Sequence, residues 1–220
     1  MGVAGALRVP PVKDVEIAVR GLPAQFEGYR LLHLTDLHIS RLFPARWTRQ
    51  IVDRANAADA DLIVVTGDFI DVAMREADVE PLRDLRAPDG IYAVPGNHEY
   101  YFGYRSWMRH LGGLGIGMLP NAHAIVTRGS ARLVVAGITD LSAPQHGEVA
   151  PNLNAALAGA PAGAPVVMLD HQPRNARQAA RRGVDLQLSG HTHGGLIAGL
   201  DRAFALANAG FVSGRYEIGA

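Results

Sequence analysis

Residues 185–195 read DLQLSGHTHGG. Leu186 and Leu188 alternate with polar residues, the spacing of a strand with one buried face. The strand runs into Gly190, and His191 and His193 follow with one threonine between them, before Gly194 and Gly195. Glycine on both sides permits a tight turn. If that turn stays extended, residues i and i+2 leave the backbone on the same side, so both imidazoles face one way. Two imidazoles at the end of a buried strand point to a metal site. The rest of the chain must then supply further ligands.

The chain has 220 residues, 48% of them hydrophobic and 19% charged, a globular composition with length enough for one sizeable core. Residues 1–14 read as a flank or linker, and residues 15–220 as a single domain. Lys+Arg and Asp+Glu both count 21, so the formal net charge is zero. General binders of nucleic acid or anionic membranes use an excess of positive charge, and this balance argues against both. There is no cysteine. Disulfides, thiolate catalysis and Cys-based zinc sites are excluded, and the compartment stays open. No apolar run is long enough to span a bilayer, so membrane association is expected only through segments outside this chain.

Periodicity predicts strands at 15–19 and 29–35, an amphipathic helix at 45–58 with Trp47, Ile51, Val52 and Ala55 on one face, and a doubly buried strand at 62–66. A charged helix is expected over 76–86, a strand at 91–94 and a helix at 103–112. Short strands at 116–119, 123–127 and 132–137 suggest an antiparallel stretch. A helix at 152–158, a small-residue loop at 160–165, a strand at 166–169 and an Arg-rich helix at 174–182 lead into the opening strand. Beyond Gly195 the expected elements are a helix at 201–208 and a strand at 212–218. Alternating strands and helices with a mixed middle section argue one α/β domain with two sheets or one mixed sheet.

Five of these strands end in polar, metal-competent residues: Asp36-Leu37-His38, Gly67-Asp68-Phe69-Ile70-Asp71, Gly96-Asn97-His98-Glu99, Asp170-His171 and His191-Thr192-His193. In open α/β sheets, sites form where the carboxyl ends of strands converge. Carboxylates and imidazoles without thiolates suit Mn, Fe, Zn, Co or Ni. There are too many ligands for one ion. Two ions sharing a carboxylate would use them all, and paired metals are the common apparatus of phosphoryl hydrolysis.

The segments DLH, GDFID, GNHE, DHQP and GHTHGG, in that order over residues 36–195, resemble the calcineurin-like metallophosphoesterase superfamily. The GNHEYY and LDHQP spellings are similar to its bacterial, often membrane-associated phosphodiesterase branch. The resemblance implies a four-layer α-β-β-α sandwich of two mixed sheets flanked by helices. It implies two divalent transition-metal ions, Mn²⁺ foremost, with Fe, Zn, Co or Ni as alternatives. Asp36, His38 and His193 would hold the first ion, and Asn97, His171 and His191 the second, with Asp68 bridging. A metal-bound hydroxide would be the nucleophile. His98 would stabilise the transition state or protonate the leaving oxygen, with Asp71 orienting it. Leu196 stands where many relatives carry Gln. Relatives also continue past the last strand with a further β segment, so either that element is absent here or the chain is cut from a longer one.

The expected activity is hydrolysis of a small phosphoester, a phosphodiester in the first instance. A phosphomonoesterase or a pyrophosphohydrolase acting on a nucleotide-linked lipid is the alternative, and a catalytically weak interaction scaffold the third reading. His33, inside a strand, reads as a satisfied core histidine, and His110, His123 and His146 match no motif. Asp170 should point away from His171, since adjacent strand residues face opposite ways. Glu99 reads as structural. Tyr100, Tyr101 and Phe102 are either a substrate wall or ordinary core packing.

Overall fold

The computed structural model describes residues 8–72, 74–195 and 205–219. Its strands are β1 (Leu31–Leu34), β2 (Leu62–Thr66), β3 (Ile91–Val94), β4 (Gly117–Met118), β5 (Ala122–Arg128), β6 (Ala131–Gly137), β7 (Val166–Leu169) and β8 (Leu186–Leu188). The α-helices are α1 (Ala45–Ala57), α2 (Glu76–Val79), α3 (Asn97–Tyr101), α4 (Tyr104–Gly113), α5 (Leu153–Leu157) and α6 (Ala176–Arg181). The order β1-β2-β3-β4 forms one sheet, and β5-β6-β7-β8 the other.

Side-chain alternation explains how the sheets stack. Leu62 and Val64 of β2 share one core with Leu133 and Val135 of β6 and with Val167 and Leu169 of β7. The intervening residues of β2, Ile63 and Val65, face the other way and pack against Ile51, Val52 and Ala55 of α1 and Trp107 and Leu111 of α4. On the far side, Val134, Ala136 and Met168 pack against Leu153 and Ala156 of α5 and Ala179 of α6. These are the four layers of an α-β-β-α sandwich, the architecture expected.

Strand direction divides the two sheets. The three pairings described in the first sheet are all parallel, while the second is mixed, with β5-β6 antiparallel and β6-β7-β8 parallel. The segment 116–119, read as part of an antiparallel stretch, instead supplies β4 beside β3. The helix α4 lies between them in sequence, and a helical crossover returns the chain parallel.

Three other expectations fail. Residues 15–19 form no strand, and Val15 and Ile17 are exposed. Residues 212–218 are also irregular, with Val212 N donating to the Tyr216 hydroxyl. Alternation marks a chain able to form a strand, but pairing needs a free neighbour, and no described strand runs beside either segment. The charged helix over 76–86 is broken: α2 ends at Val79 and a 3₁₀ turn, Glu80–Asp84, carries Pro81 at its start. Of the helix expected at 201–208, residues 205–207 are helical and 201–204 lie outside the described residues. No helix among the described residues is long and apolar enough to cross a membrane.

Leu62 is fully buried between the sheets, whereas Leu206 is 86% exposed. Leu62→Ala is expected to lower unfolding free energy by about 2–5 kcal/mol, and Leu206→Ala by less than about 0.5 kcal/mol. Urea denaturation of the two variants checks this, and equal effects would contradict the inter-sheet core.

Candidate metal centre

The ligand candidates stand where strands β1, β2, β3, β7 and β8 end, at one edge of the sandwich. Parallel strands place their carboxyl ends together, so residues distant in sequence meet. The chain then turns sharply. Asp36, His38, Asp68, His191 and His193 all have positive φ, between 44° and 68°. Left-handed backbone in a non-glycine residue costs on the order of 1–3 kcal/mol and clusters at functional sites.

Three groups of donor atoms result, two made wholly of ligand candidates and a third of His38, Asp71 and His98. Asp36, His38 and His193 bring one ligand atom each within 4.8 Å of one another, and so do Asp68, His171 and His191. In the first group, His38 Nε2 faces His193 Nε2 at 3.1 Å, and His193 Nε2 lies 3.3 Å from Asp36 Oδ1. In the second, Asn97 Oδ1 is 3.0 Å from both His171 Nε2 and His191 Nδ1. Asp68 Oδ2 lies between the groups, 3.3 Å from His171 Nε2 and 3.7 Å from His38 Nε2. The fold therefore brings together all seven ligand candidates read from the sequence.

The donor chemistry fits a pair of cations. His171 Nδ1 meets the carbonyl oxygen of Thr66 at 2.7 Å. A carbonyl only accepts, so Nδ1 carries a proton, and the lone pair of Nε2 is turned toward Asn97 Oδ1 and Asp68 Oδ2. Electron pairs then face electron pairs, and a cation, whether a proton or a metal ion, is the partner that satisfies them. Proton affinities reflect the same crowding. Burial disfavours charge on His171, but the Asp68 carboxylate outweighs it, and the ring is raised to about 10. Burial works against the Asp68 anion as well, yet contact with His171 and the backbone N–H of His98 brings it down to about 2. His38 and His191 are lowered, chiefly by burial, which favours the neutral, ligating form.

His98 stands beside the centre. Its Nε2 is 3.9 Å from Asp68 Oδ2, and its Nδ1 is 3.4 Å from Asp71 Oδ1. Asp71 also reaches toward His38 Nδ1, at 3.8 Å, so one carboxylate faces both rings. Its Oδ1 accepts from Val72 N at 2.6 Å.

Glu99 does more than the sequence revealed. It is fully buried, and its carboxylate accepts from the backbone N–H groups of Gly96 (2.7 Å), Asp68 (3.0 Å), Phe69 (2.9 Å) and Ile70 (3.4 Å). It thereby ties the loop after β2 to the start of α3. Burial and the nearby Asp68 charge push its carboxyl up to about 8 against the pull of those N–H donors. The signal was present: Glu99 lies three residues after Gly96, the spacing of a helix-start capping pattern. Asp140, in the loop after β6, was missed as well. It is buried, and its two oxygens each accept from Gln172 Nε2 at 3.0 Å. The strand-end rule that found the other carboxylates applies to it equally.

Close backbone approach explains two glycines. A Cβ on Gly96 would collide with the Asp68 carboxylate, and one on Gly190 with Thr35 and Asp36. Asp170 turns to Asn175, accepting from its Nδ2 at 3.0 Å. His33 is satisfied by Thr66 Oγ1 at 2.8 Å and lowered by burial to about 4. Leu196 lies outside the described residues.

A family model for calcineurin-like phosphoesterases matches residues 29–195. A transmembrane protein with metallophosphoesterase domain from Danio rerio is 35% identical over 230 residues, covering 99% of this chain and 52% of its own length. A metallophosphoesterase from Helicobacter pylori is 31% identical over 199 residues, covering 89% of this chain and 52% of its own. The chain thus spans about half the length of these curated relatives. Among solved structures, a 5'-nucleotidase precursor from Thermus thermophilus superposes with a TM-score of 0.53 at 18% identity, over 76% of this chain and 42% of that one. That likeness is one of fold.

Glu99→Gln replaces one accepting oxygen with an N–H donor that faces backbone N–H groups. Stability is expected to fall by about 1–3 kcal/mol, and Mn²⁺ affinity to fall with it although no ligand candidate changes. Thermal denaturation and metal titration check this; parent values for both would show that the carboxylate is incidental.

Proposed function

The chain belongs to the calcineurin-like phosphoesterase family, and on that premise we propose that it hydrolyses phosphoesters with two divalent metal ions, phosphodiesters foremost. The observation that carries this reading is Asp68 Oδ2, poised between two groups of converging lone pairs. Asp36, His38 and His193 would hold one ion, and Asn97, His171 and His191 the other, with Asp68 shared. Mn²⁺ leads the candidates, and Fe, Zn, Co and Ni suit the same oxygen and imidazole donors. Bound ions supply Lewis acidity toward a phosphoryl oxygen and lower the pKa of water.

The protein's own groups supply position and proton. His171 is held by the Thr66 carbonyl, and Asp36 by the Thr35 hydroxyl (2.6 Å) and the His191 N–H (3.1 Å), so their ligating atoms are fixed before any substrate arrives. Asp71 faces His98 Nδ1, which leaves Nε2 to give its proton to the leaving oxygen as the P–O bond breaks. His98 and every ligand candidate are assembled in one place, which favours an enzyme over an inert scaffold.

Exhaustive chelation is expected to abolish turnover of bis(p-nitrophenyl) phosphate, and Mn²⁺ to restore it; undiminished turnover after chelation would sink the metal reading. His98→Ala should keep both ions while kcat falls about 10²–10⁴-fold, and loss of an ion from that variant would move His98 into the ligand set. A panel of phosphodiester, phosphomonoester and nucleotide-lipid pyrophosphate substrates separates the phosphodiesterase reading from the alternatives.

A further inference from the structure

Three aromatic residues follow His98 and Glu99, and the fold sends them to different places. Tyr100 is 4% exposed and stacks on Tyr104 with ring centroids 4.4 Å apart. Phe102 is half-buried against the first core. Tyr101 is 53% exposed, with its ring centroid 5.6 Å from that of His98. A second ring meets it from elsewhere in the chain. His146 ends the 3₁₀ turn Ala143–His146 after β6, is exposed, and lies 5.4 Å from Tyr101 between centroids. The turn is tied to α4 by Glu148, whose Oε1 accepts from Arg105 Nε at 2.8 Å.

Core packing is already served by Tyr100 and Phe102. Tyr101 instead leaves apolar ring surface in water, where burial would be favourable. It does so beside His98, the proposed donor to the leaving oxygen, and a ring from a separate segment extends the surface. We infer that Tyr101 and His146 form a subsite for a flat aromatic or heteroaromatic group carried on the leaving oxygen of the substrate. This rests on the phosphoester reading above, which places the leaving oxygen at His98 Nε2. Tyr101, with its centroid 5.6 Å from that of His98, is within reach of a ring borne on that oxygen. Aromatic pairs favour centroid separations of about 4.5–7 Å, a preference that a saturated ring of equal size does not share.

The test is calorimetric binding of benzylphosphonate and cyclohexylmethylphosphonate to the Mn²⁺-loaded protein. Each has a C–P bond in place of the ester bond, so neither turns over. The aromatic ligand is expected to bind about three- to tenfold tighter. Tyr101→Leu should bring the ratio of the two Kd values to about one, and Tyr101→Phe should preserve it. Equal Kd values in the parent protein, or a ratio that Tyr101→Leu does not move, would overturn the subsite and leave the phosphoester reading standing. Failure of both ligands to bind would overturn the subsite, while the phosphoester reading stands or falls on turnover of bis(p-nitrophenyl) phosphate.

Discussion

A single buried carboxylate holds the two halves of the centre in register. Glu99 accepts from four backbone N–H groups, one at the start of α3 and three in the loop after β2. The loop carries Asp68 and Asp71 and the helix start carries Asn97 and His98, so the proposed bridging carboxylate and the proposed acid are positioned through the same anchor. Buried N–H groups must find acceptors, and here one side chain meets the need of several residues at once. Asp68, at φ 53°, is among them. Its own side chain then accepts from the His98 N–H at 3.0 Å, which closes the link in the other direction.

Rigidity of this kind matters because the donor atoms repel one another. Carboxylate oxygens, an amide oxygen and imidazole lone pairs crowd together, and five of the seven ligand candidates hold left-handed backbone. Such an arrangement is costly to assemble. The sandwich offsets that cost through its cores: β2 is buried on both faces, and its carboxyl end leads directly into Gly67 and Asp68. Fold and site meet at that point.

Much of this was legible in the sequence. The uninterrupted run Leu62–Thr66 announced a strand covered on both sides, and the short apolar runs of β6 and β7 announced further strands without deciding between a second sheet and one mixed sheet. The ligand candidates were legible because each follows a strand, and strand ends converge by geometry. What escaped were features set by partners distant in sequence. Residues 15–19 alternate like a strand but have no described neighbour to pair with. The parallel setting of β4 follows from the crossover through α4, not from anything within residues 116–119. Glu99 was legible as a cap by its distance from Gly96, but its bonds to Phe69 and Ile70 depend on loop packing. His146 carries no motif, and only the fold brings it to Tyr101.

The central claim is that one carboxylate, Asp68, is shared by two ions. Electron paramagnetic resonance of the protein titrated with Mn²⁺ tests it most directly, because ions in a bridged pair, about 3.5–4 Å apart, are exchange-coupled. The account predicts two Mn²⁺ per chain and a coupled multiline spectrum at saturation. One ion per chain, or two ions with the six-line spectrum of isolated Mn²⁺, would contradict it.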